Sequence, residues 1–252
     1  MDRGGTFDLK TYAPSPPLVP HVQSFWILEA TAENPEPRYF HPDGGSGFSL
    51  RYGDSGETPG TGIVMQARLT EPKPFRYSGT VRMVGVRFRP GGAFPFFGTD
   101  APVEDVFGAA ELRDLYGRIG EARRPEETLS LLETALLRRL DTAELSPLAI
   151  AALRSLETSH GIVRVERIAE KLDVTSRQLE RVFRAQVGYA PKQLARILRA
   201  RRAKRLLADR RALPLYDVGY SLGYADQAHF TREFKEVIGL TPAAYRRALK
   251  ER

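Results

Sequence analysis

Apolar residues in the last hundred positions recur every third or fourth place, whereas in the first hundred they come in short alternating or unbroken runs. The first spacing lays a hydrophobic stripe along one side of an α-helix, and the second suits strands. The helical region also writes a single phrase twice. "QLERVFRAQVGYAP" (178–191) is matched fifty-one residues later by "HFTREFKEVIGLTP" (229–242). Leu179 aligns with Phe230, Arg181 with Arg232, Phe183 with Phe234, Arg184 with Lys235, Val187 with Ile238, Gly188 with Gly239 and Pro191 with Pro242. A fixed offset over so many chemically matched positions indicates one structural unit built two times.

Each copy predicts two helices and a turn. In the first, Val165, Ile168, Ala169 and Leu172 form a stripe that "DVT" interrupts. Thr175 with Gln178 reads as a capping box opening a second helix, with Leu179, Val182, Phe183 and Val187 inward and Gly188 as the stop. In the second, Val218, Gly219 and Leu222 precede the turn "GYA", Asp226 is the cap, Phe230, Phe234 and Ile238 face inward, and Gly239 ends the helix. A short helix, a tight turn and a longer helix make the helix-turn-helix arrangement, whose second helix enters the major groove of DNA in known examples.

The spacing leaves Ser176, Arg177, Glu180, Arg181 and Arg184 on the outer side of the first such helix. Gln227, Ala228, Thr231, Arg232 and Lys235 take the same side of the second. Arg suits guanine, Gln suits adenine and Ala suits a thymine methyl, so Arg177, Glu180, Arg181, Gln227, Ala228 and Arg232 are the candidate base readers. Ser176, Arg184, Arg199, Arg202 and Lys235 are candidate phosphate contacts. Any one of these alone reads equally as a solvated surface side chain; two matched sets on capped helices do not. Between the copies, "PKQLARILRARRAKRLLADRR" predicts a helix from 191 to about 208, with Leu194, Ile197, Leu198, Ala200, Leu206 and Leu207 inward. Its basic residues either meet phosphates or decorate the surface.

Charge sharpens this picture. Residues 145–252 hold 22 Lys+Arg against 11 Asp+Glu, a net +11, which leaves −4 for residues 1–144. A basic segment joined to a mildly acidic one points to a polyanion partner for the C-terminal segment only. The chain contains no cysteine, which excludes disulfides, thiolate metal sites and cysteine nucleophiles, the acceptor of an alkyl-transfer repair enzyme among them. "MDRGGTFDLK" lacks a signal-peptide core and no long apolar run appears, so a cytoplasmic protein with no membrane partner is expected.

Residues 147–250 resemble the AraC/XylS-type DNA-binding domain. The motifs that carry the likeness are "IAEKLDVTSRQLERVF", "GYAPKQLARILRARRAKRLL", "DVGYSLGYADQAHFTREFK" and "GLTPAAYRR". The resemblance implies seven helices with two helix-turn-helix units on a connecting helix, and a transcription regulator that often recruits RNA polymerase. Two positions depart from the family pattern. Asp173 stands where a turn glycine is usual, which asks Asp to adopt a left-handed conformation. Gly219 replaces the usual alanine, at a cost of about 1 kcal/mol of helix propensity. Glu180 is an acid on the reading side; it either accepts from a cytosine or orients Arg177 or Arg184, and the second is favoured.

The expected fold class is α+β in two domains. Residues 1–140 form an N-terminal β-barrel, cupin-like by resemblance, with accessory helices; 141–147 are a linker; 148–252 are the all-α domain with two helix-turn-helix units. The predicted strands are "VQSFWILEA", "SGFSLRY", "GIVMQARL" and "TVRMVGVRFR", and the last is expected to show one buried and one basic side. Trp26, His41 and Phe88 are candidate effector contacts, or plain core. The four histidines form no His-x-His pair, so neither metal, cofactor nor catalytic residue is expected. The helix "PEETLSLLETALLRRL" carries the stripe Leu129, Leu132, Leu136, Leu137, Leu140, which either packs on the barrel or pairs with a second subunit. The expected partners are therefore promoter DNA, RNA polymerase, a small effector and a homodimer mate. A non-specific architectural DNA protein and a barrel enzyme with an incidental helical tail are the competing classes.

Overall fold

The computed structural model describes residues 6–32, 38–53, 62–66, 68–75, 79–98, 107–140, 144–209 and 213–250. The chain divides into two compact units. The first comprises Met1–Arg38, Gly45–Arg68 and Pro74–Leu145; the second comprises Ser146–Arg252 together with the short segments Tyr39–Gly44 and Leu69–Lys73.

The first unit is built on strands β1 (Thr6–Tyr12), β2 (Val22–Ala32), β4 (Gly47–Gly53), β5 (Ile63–Gln66) and β7 (Gly79–Phe88). They form one sheet in the order β1-β2-β7-β4-β5, and the pairs β1/β2, β2/β7, β4/β7 and β4/β5 are antiparallel. Strands β3 (Arg38–Phe40) and β6 (Lys73–Phe75) make a separate two-stranded ribbon. Helices α1 (Phe94–Phe97), α2 (Ala109–Glu121) and α3 (Pro125–Leu137) follow.

Strand β7 corrects the expectation of a buried side and a basic side. It lies at the centre of the sheet, and an apolar cluster covers each of its sides. Val84, Val86 and Phe88 join Phe25, Ile27, Phe48 and Leu50 in a core closed by Leu112, Leu115 and Ile119 of α2 and Leu132, Ala135 and Leu136 of α3. Val81 and Met83 point the other way, into a second cluster with Trp26, Leu28 and Ala30. Period-two alternation cannot separate a central strand from a half-buried one when apolar residues occupy both parities. Gly85 sits opposite Trp26, and a Cβ there would lie 2.3 Å from the indole ring, so the glycine makes the space for the tryptophan.

Polar side chains fasten α2 and α3 to the sheet. The Tyr52 hydroxyl donates to the Tyr116 carbonyl at 2.8 Å, and the Tyr116 hydroxyl donates to the Arg51 carbonyl at 2.7 Å, with the two rings stacked. Arg82 donates to the Ile119 carbonyl at 2.9 Å and to the hydroxyl of Thr128, itself fully buried, at 3.1 Å. The stripe of α3 thus packs within its own unit, while Leu137 stays 41% exposed.

Seven helices are described in the second unit: α4 (Pro147–Thr158), α5 (Val165–Lys171), α6 (Ser176–Val187), α7 (Pro191–Asp209), α8 (Leu215–Ser221), α9 (Gln227–Ile238) and α10 (Pro242–Ala248). Ser146 caps α4 by accepting from the Ala149 amide, and both its own amide and its hydroxyl donate to the Gln186 side chain of α6 at 2.9 Å. Helix α7 runs through the middle of the unit. Beside the expected Leu194, Ile197, Ala200 and Leu207 it buries Ala195 and Ala203, small residues that admit neighbouring helices from more than one side.

Candidate nucleic-acid interface

The repeated phrase is a repeated structure. In the first copy α5 ends at Leu172, Asp173 adopts φ 52°, and the Val174 amide donates back to the Ala169 carbonyl at 3.1 Å. In the second, α8 ends at Leu222, Gly223 adopts φ 76°, and the Tyr224 amide donates back to the Gly219 carbonyl at 3.2 Å. Both turns therefore pivot on one left-handed residue, fifty positions apart. Glycine takes that conformation freely, and Asp is among the few other residues that visit it.

The caps that launch the longer helices follow their sequence signals. Thr175 accepts from the Gln178 amide at 3.2 Å, and the Thr175 amide donates to the Gln178 side chain at 2.9 Å, which completes the capping box of α6. Asp226 accepts from the His229 amide at 2.7 Å at the start of α9. Gly188 and Gly239, at φ 78° and 84°, end the two helices. Leu179, Phe183 and Val187 are buried in α6, and Phe230, Phe234 and Ile238 in α9.

Burying those positions turns a fixed set outward. Ser176, Arg177, Glu180, Arg181 and Arg184 are exposed along α6, and Gln227, Ala228, Arg232 and Lys235 along α9. Glu180 accepts from Arg184 Nε at 2.9 Å, one turn along the helix, so of its two readings the orienting one matches the geometry. The exposed ends thus offer guanidinium, amide and methyl groups near the start of each helix, where a groove-reading helix meets base edges.

Arg199 takes a different place from the one expected for a phosphate contact. Its Nη2 lies 2.9 and 2.8 Å from the two carboxylate oxygens of Glu233, its Nε is 3.1 Å from one of them, and its Nη1 donates to the Gly161 carbonyl at 3.1 Å. Every donor group of the guanidinium is engaged within the unit, so little of it is left for DNA. Glu233, only 6% exposed, also accepts from the Tyr224 hydroxyl at 2.7 Å and faces His229 and Arg196 at 3.8 and 3.5 Å. Burial and the Glu233 carboxylate both push the Tyr224 phenol well above its ordinary range, so it stays a donor. This cluster joins α7, α9 and the turn before α9. The helix pattern hid Glu233, because an acid on an apolar stripe reads as an interruption until its partners are known. Arg202 of α7 is half-buried.

Trp26 and Phe88, two of the three candidate effector residues, part within the first unit. Trp26 lies in the cluster on one side of the sheet, Phe88 in the core on the other side among Phe48, Phe96 and Phe97, and His41 belongs to the second unit. Strand direction explains the first two: their parities and pairing register send them to opposite sides.

Comparison with known proteins places this geometry in a class. Residues 168–248 match a family described as "Helix-turn-helix domain", and residues 10–105 match a "Domain of unknown function (DUF6597)". The chain is 29% identical over 153 residues to the arabinose operon regulatory protein of Escherichia coli K12, covering 55% of this chain and 52% of that one. It is 32% identical over 107 residues to the HTH-type transcriptional regulator GlxA of Rhizobium meliloti, covering 40% and 31%. The DNA-binding domain of AdpA, solved in complex with a target DNA, is 30% identical with a TM-score of 0.38, over 42% of this chain and 94% of that one. ToxT from Vibrio cholerae is 12% identical with a TM-score of 0.45, over 96% and 98%. The C-terminal unit is thus a helix-turn-helix domain. Its likeness to the arabinose regulators agrees with the AraC/XylS-type resemblance of residues 147–250. The match spans about half the length of the arabinose regulators.

Proposed function

We propose that this protein is a sequence-specific DNA-binding transcription regulator of the AraC type, with α5/α6 and α8/α9 as two helix-turn-helix units. The observation that carries the reading is the matched pair of capped helices, each turning a basic and amide-bearing side outward while its apolar side is buried. Arg177, Arg181, Gln227, Ala228 and Arg232 read base edges, and Glu180 holds Arg184. Ser176, Arg184, Arg202 and Lys235 meet phosphates. Helix α7, 19 residues and so about 28 Å long at ~1.5 Å per residue, is the spacer that sets both readers toward one duplex, whose successive major grooves recur at about 34 Å. The net +11 of residues 145–252 supports the same partner, because phosphate neutralisation supplies most of the sequence-independent affinity.

The N-terminal domain, residues 1–140 in the division read from sequence, is the regulatory module in this proposal. Its sheet, cupin-like by resemblance, takes a small effector, and RNA polymerase is the partner at the promoter. The arabinose operon regulatory protein among its relatives favours this over an architectural DNA protein. The deciding experiment is selection of bound sequences from a random duplex library, followed by titration of the winner and a scrambled duplex at fixed salt. A regulator prefers its site by about a thousandfold or more. Equal affinity for both duplexes would return the chain to the architectural class.

A further inference from the structure

Helices α6 and α9 are copies in geometry and differ in chemistry. Each has twelve residues, begins one place after its cap, Thr175 or Asp226, and ends at a left-handed glycine. A residue of α6 and the residue fifty-one places on in α9 therefore sit at the same distance from the cap. At 3.6 residues per turn they point the same way from the buried stripe. The matched burial of Leu179 with Phe230, Phe183 with Phe234 and Val187 with Ile238 shows that the two registers coincide.

Outward side chains can thus be compared place by place. The sixth place holds arginine in both helices, Arg181 and Arg232, and both are exposed. Among the described residues neither has a hydrogen-bond or ion-pair partner, in contrast to Arg199. The ninth place is cationic in both, Arg184 and Lys235. The fifth differs, Glu180 against Thr231, but Glu180 is engaged by Arg184 and Thr231 is half-buried. That leaves the first two places, exposed in both helices and unlike: Ser176 and Arg177 in α6, Gln227 and Ala228 in α9.

We infer that this difference makes the DNA site a pair of unlike half-sites, with Ser176 and Arg177 against Gln227 and Ala228 as the specificity-determining residues. Each half carries a guanine for its sixth-place arginine, whose fork pairs with the N7 and O6 acceptors. Beside it the α6 half carries a second guanine, for Arg177. The α9 half carries an A·T pair there instead, because Gln227 pairs with adenine and the Ala228 methyl packs on that of thymine. Such a site has a direction. Turned end for end, the chain sets α9 on the guanine-rich half and α6 on the other, and both lose their matched contacts. The chain therefore lies one way round on its duplex. The inference rests on the DNA-reading role proposed above and adds the content and polarity of the site.

The test is selection from a random duplex library by three full-length proteins: wild type, Ser176→Gln/Arg177→Ala, and the reciprocal Gln227→Ser/Ala228→Arg. Wild type selects two unlike half-sites that share a guanine. The first variant carries the α9 pair on both helices, so the A·T preference appears in both halves. The reciprocal variant selects the second guanine in both. In each case one half changes and the other keeps its wild-type bases. Competition titrations between the wild-type site and each newly selected site show the preference exchanged by roughly 5- to 150-fold, the worth of one good bidentate contact. All four positions are exposed, and circular dichroism with thermal melting confirms that the variants fold. A wild type with no preferred sequence ends the DNA-reading role itself. A preferred site that both variants leave unchanged, or that either alters in both halves at once, overturns the inference and leaves that role intact; so do wild-type halves with no guanine in common.

Discussion

The Arg199 guanidinium grips both carboxylate oxygens of Glu233, at 2.9 and 2.8 Å, and so bolts α7 to α9 inside the C-terminal unit. Glu233→Gln leaves Arg199 without its counter-charge and Tyr224 with a weaker acceptor. Loss of one partner of a buried pair costs about 3–5 kcal/mol, and the 20% exposure of the Arg199 side chain puts this case at or below the lower end, about 2–3 kcal/mol. Urea unfolding reads it directly, and a midpoint equal to wild type would remove the cluster's structural role.

Arg181→Ala and Arg232→Ala are expected to lose about 1–3 kcal/mol of discrimination at one base pair each, while Arg202→Ala weakens native and scrambled duplexes alike. Anisotropy titrations on both duplexes separate the two behaviours. An equal loss on both for Arg181→Ala would move that residue to the phosphate group.

Asp173 occupies the left-handed position that Gly223 fills in the second copy. Asp173→Gly removes a conformational cost of about 1–2 kcal/mol, some of which the greater freedom of the unfolded glycine cancels. A thermal melting point raised by a few degrees is the expected result. Asp173→Val, with a branched Cβ at positive φ, lowers it.

Gly219→Ala sets helix propensity against packing. Propensity favours alanine by about 1 kcal/mol, but the new Cβ would lie 3.2 Å from three carbons of Phe230. Phe230 is fully buried, with the rings of Tyr224 and Phe234 beside it to oppose a shift. Overpacking of this kind costs about 1–3 kcal/mol, so the variant is expected to be less stable than wild type. A stabilised variant in chemical denaturation would show that Phe230 moves.

Acid should loosen the fold through its histidines. Burial lowers the pKa values of His21, His41 and His160 below their ordinary 6.5, with Glu144 opposing at His21. Their unfolded forms bind protons more readily, so stability is full above pH 6.5 and falls as pH drops through that value. Urea midpoints at pH 7.5 and 5.5 measure the decline, and His21→Gln should reduce it. A flat profile between those pH values contradicts the assignment.

Much of the candidate interface was legible because its signals are local. A cap, a stop and a helical stripe each depend on residues within four places, so Thr175 with Gln178, Asp226, Gly188 and Gly239 take the roles their order along the chain announced. The left-handed turn at Asp173 follows in the same way, from its alignment with a glycine. The partners of Arg199 lie 34 and 38 residues away, and no local rule relates them to it. The burial of β7 on both sides depends on what packs against the sheet, the parting of Trp26 from Phe88 on the pairing register, and the exposure of β1 on its place at the end of the order, all of which contacts between distant segments decide. "TFDLKTY" shows the limit clearly: its apolar positions alternate as those of a buried strand do, yet its place at the end of the order leaves it in solvent. Composition and spacing alone determined which helices form, where they stop and which side each turns outward, because backbone hydrogen bonds and side-chain periodicity act over one or two turns. Tertiary structure alone decided which outward charges stay free and which are spent inside, because burial and ion pairing are properties of the assembled neighbourhood.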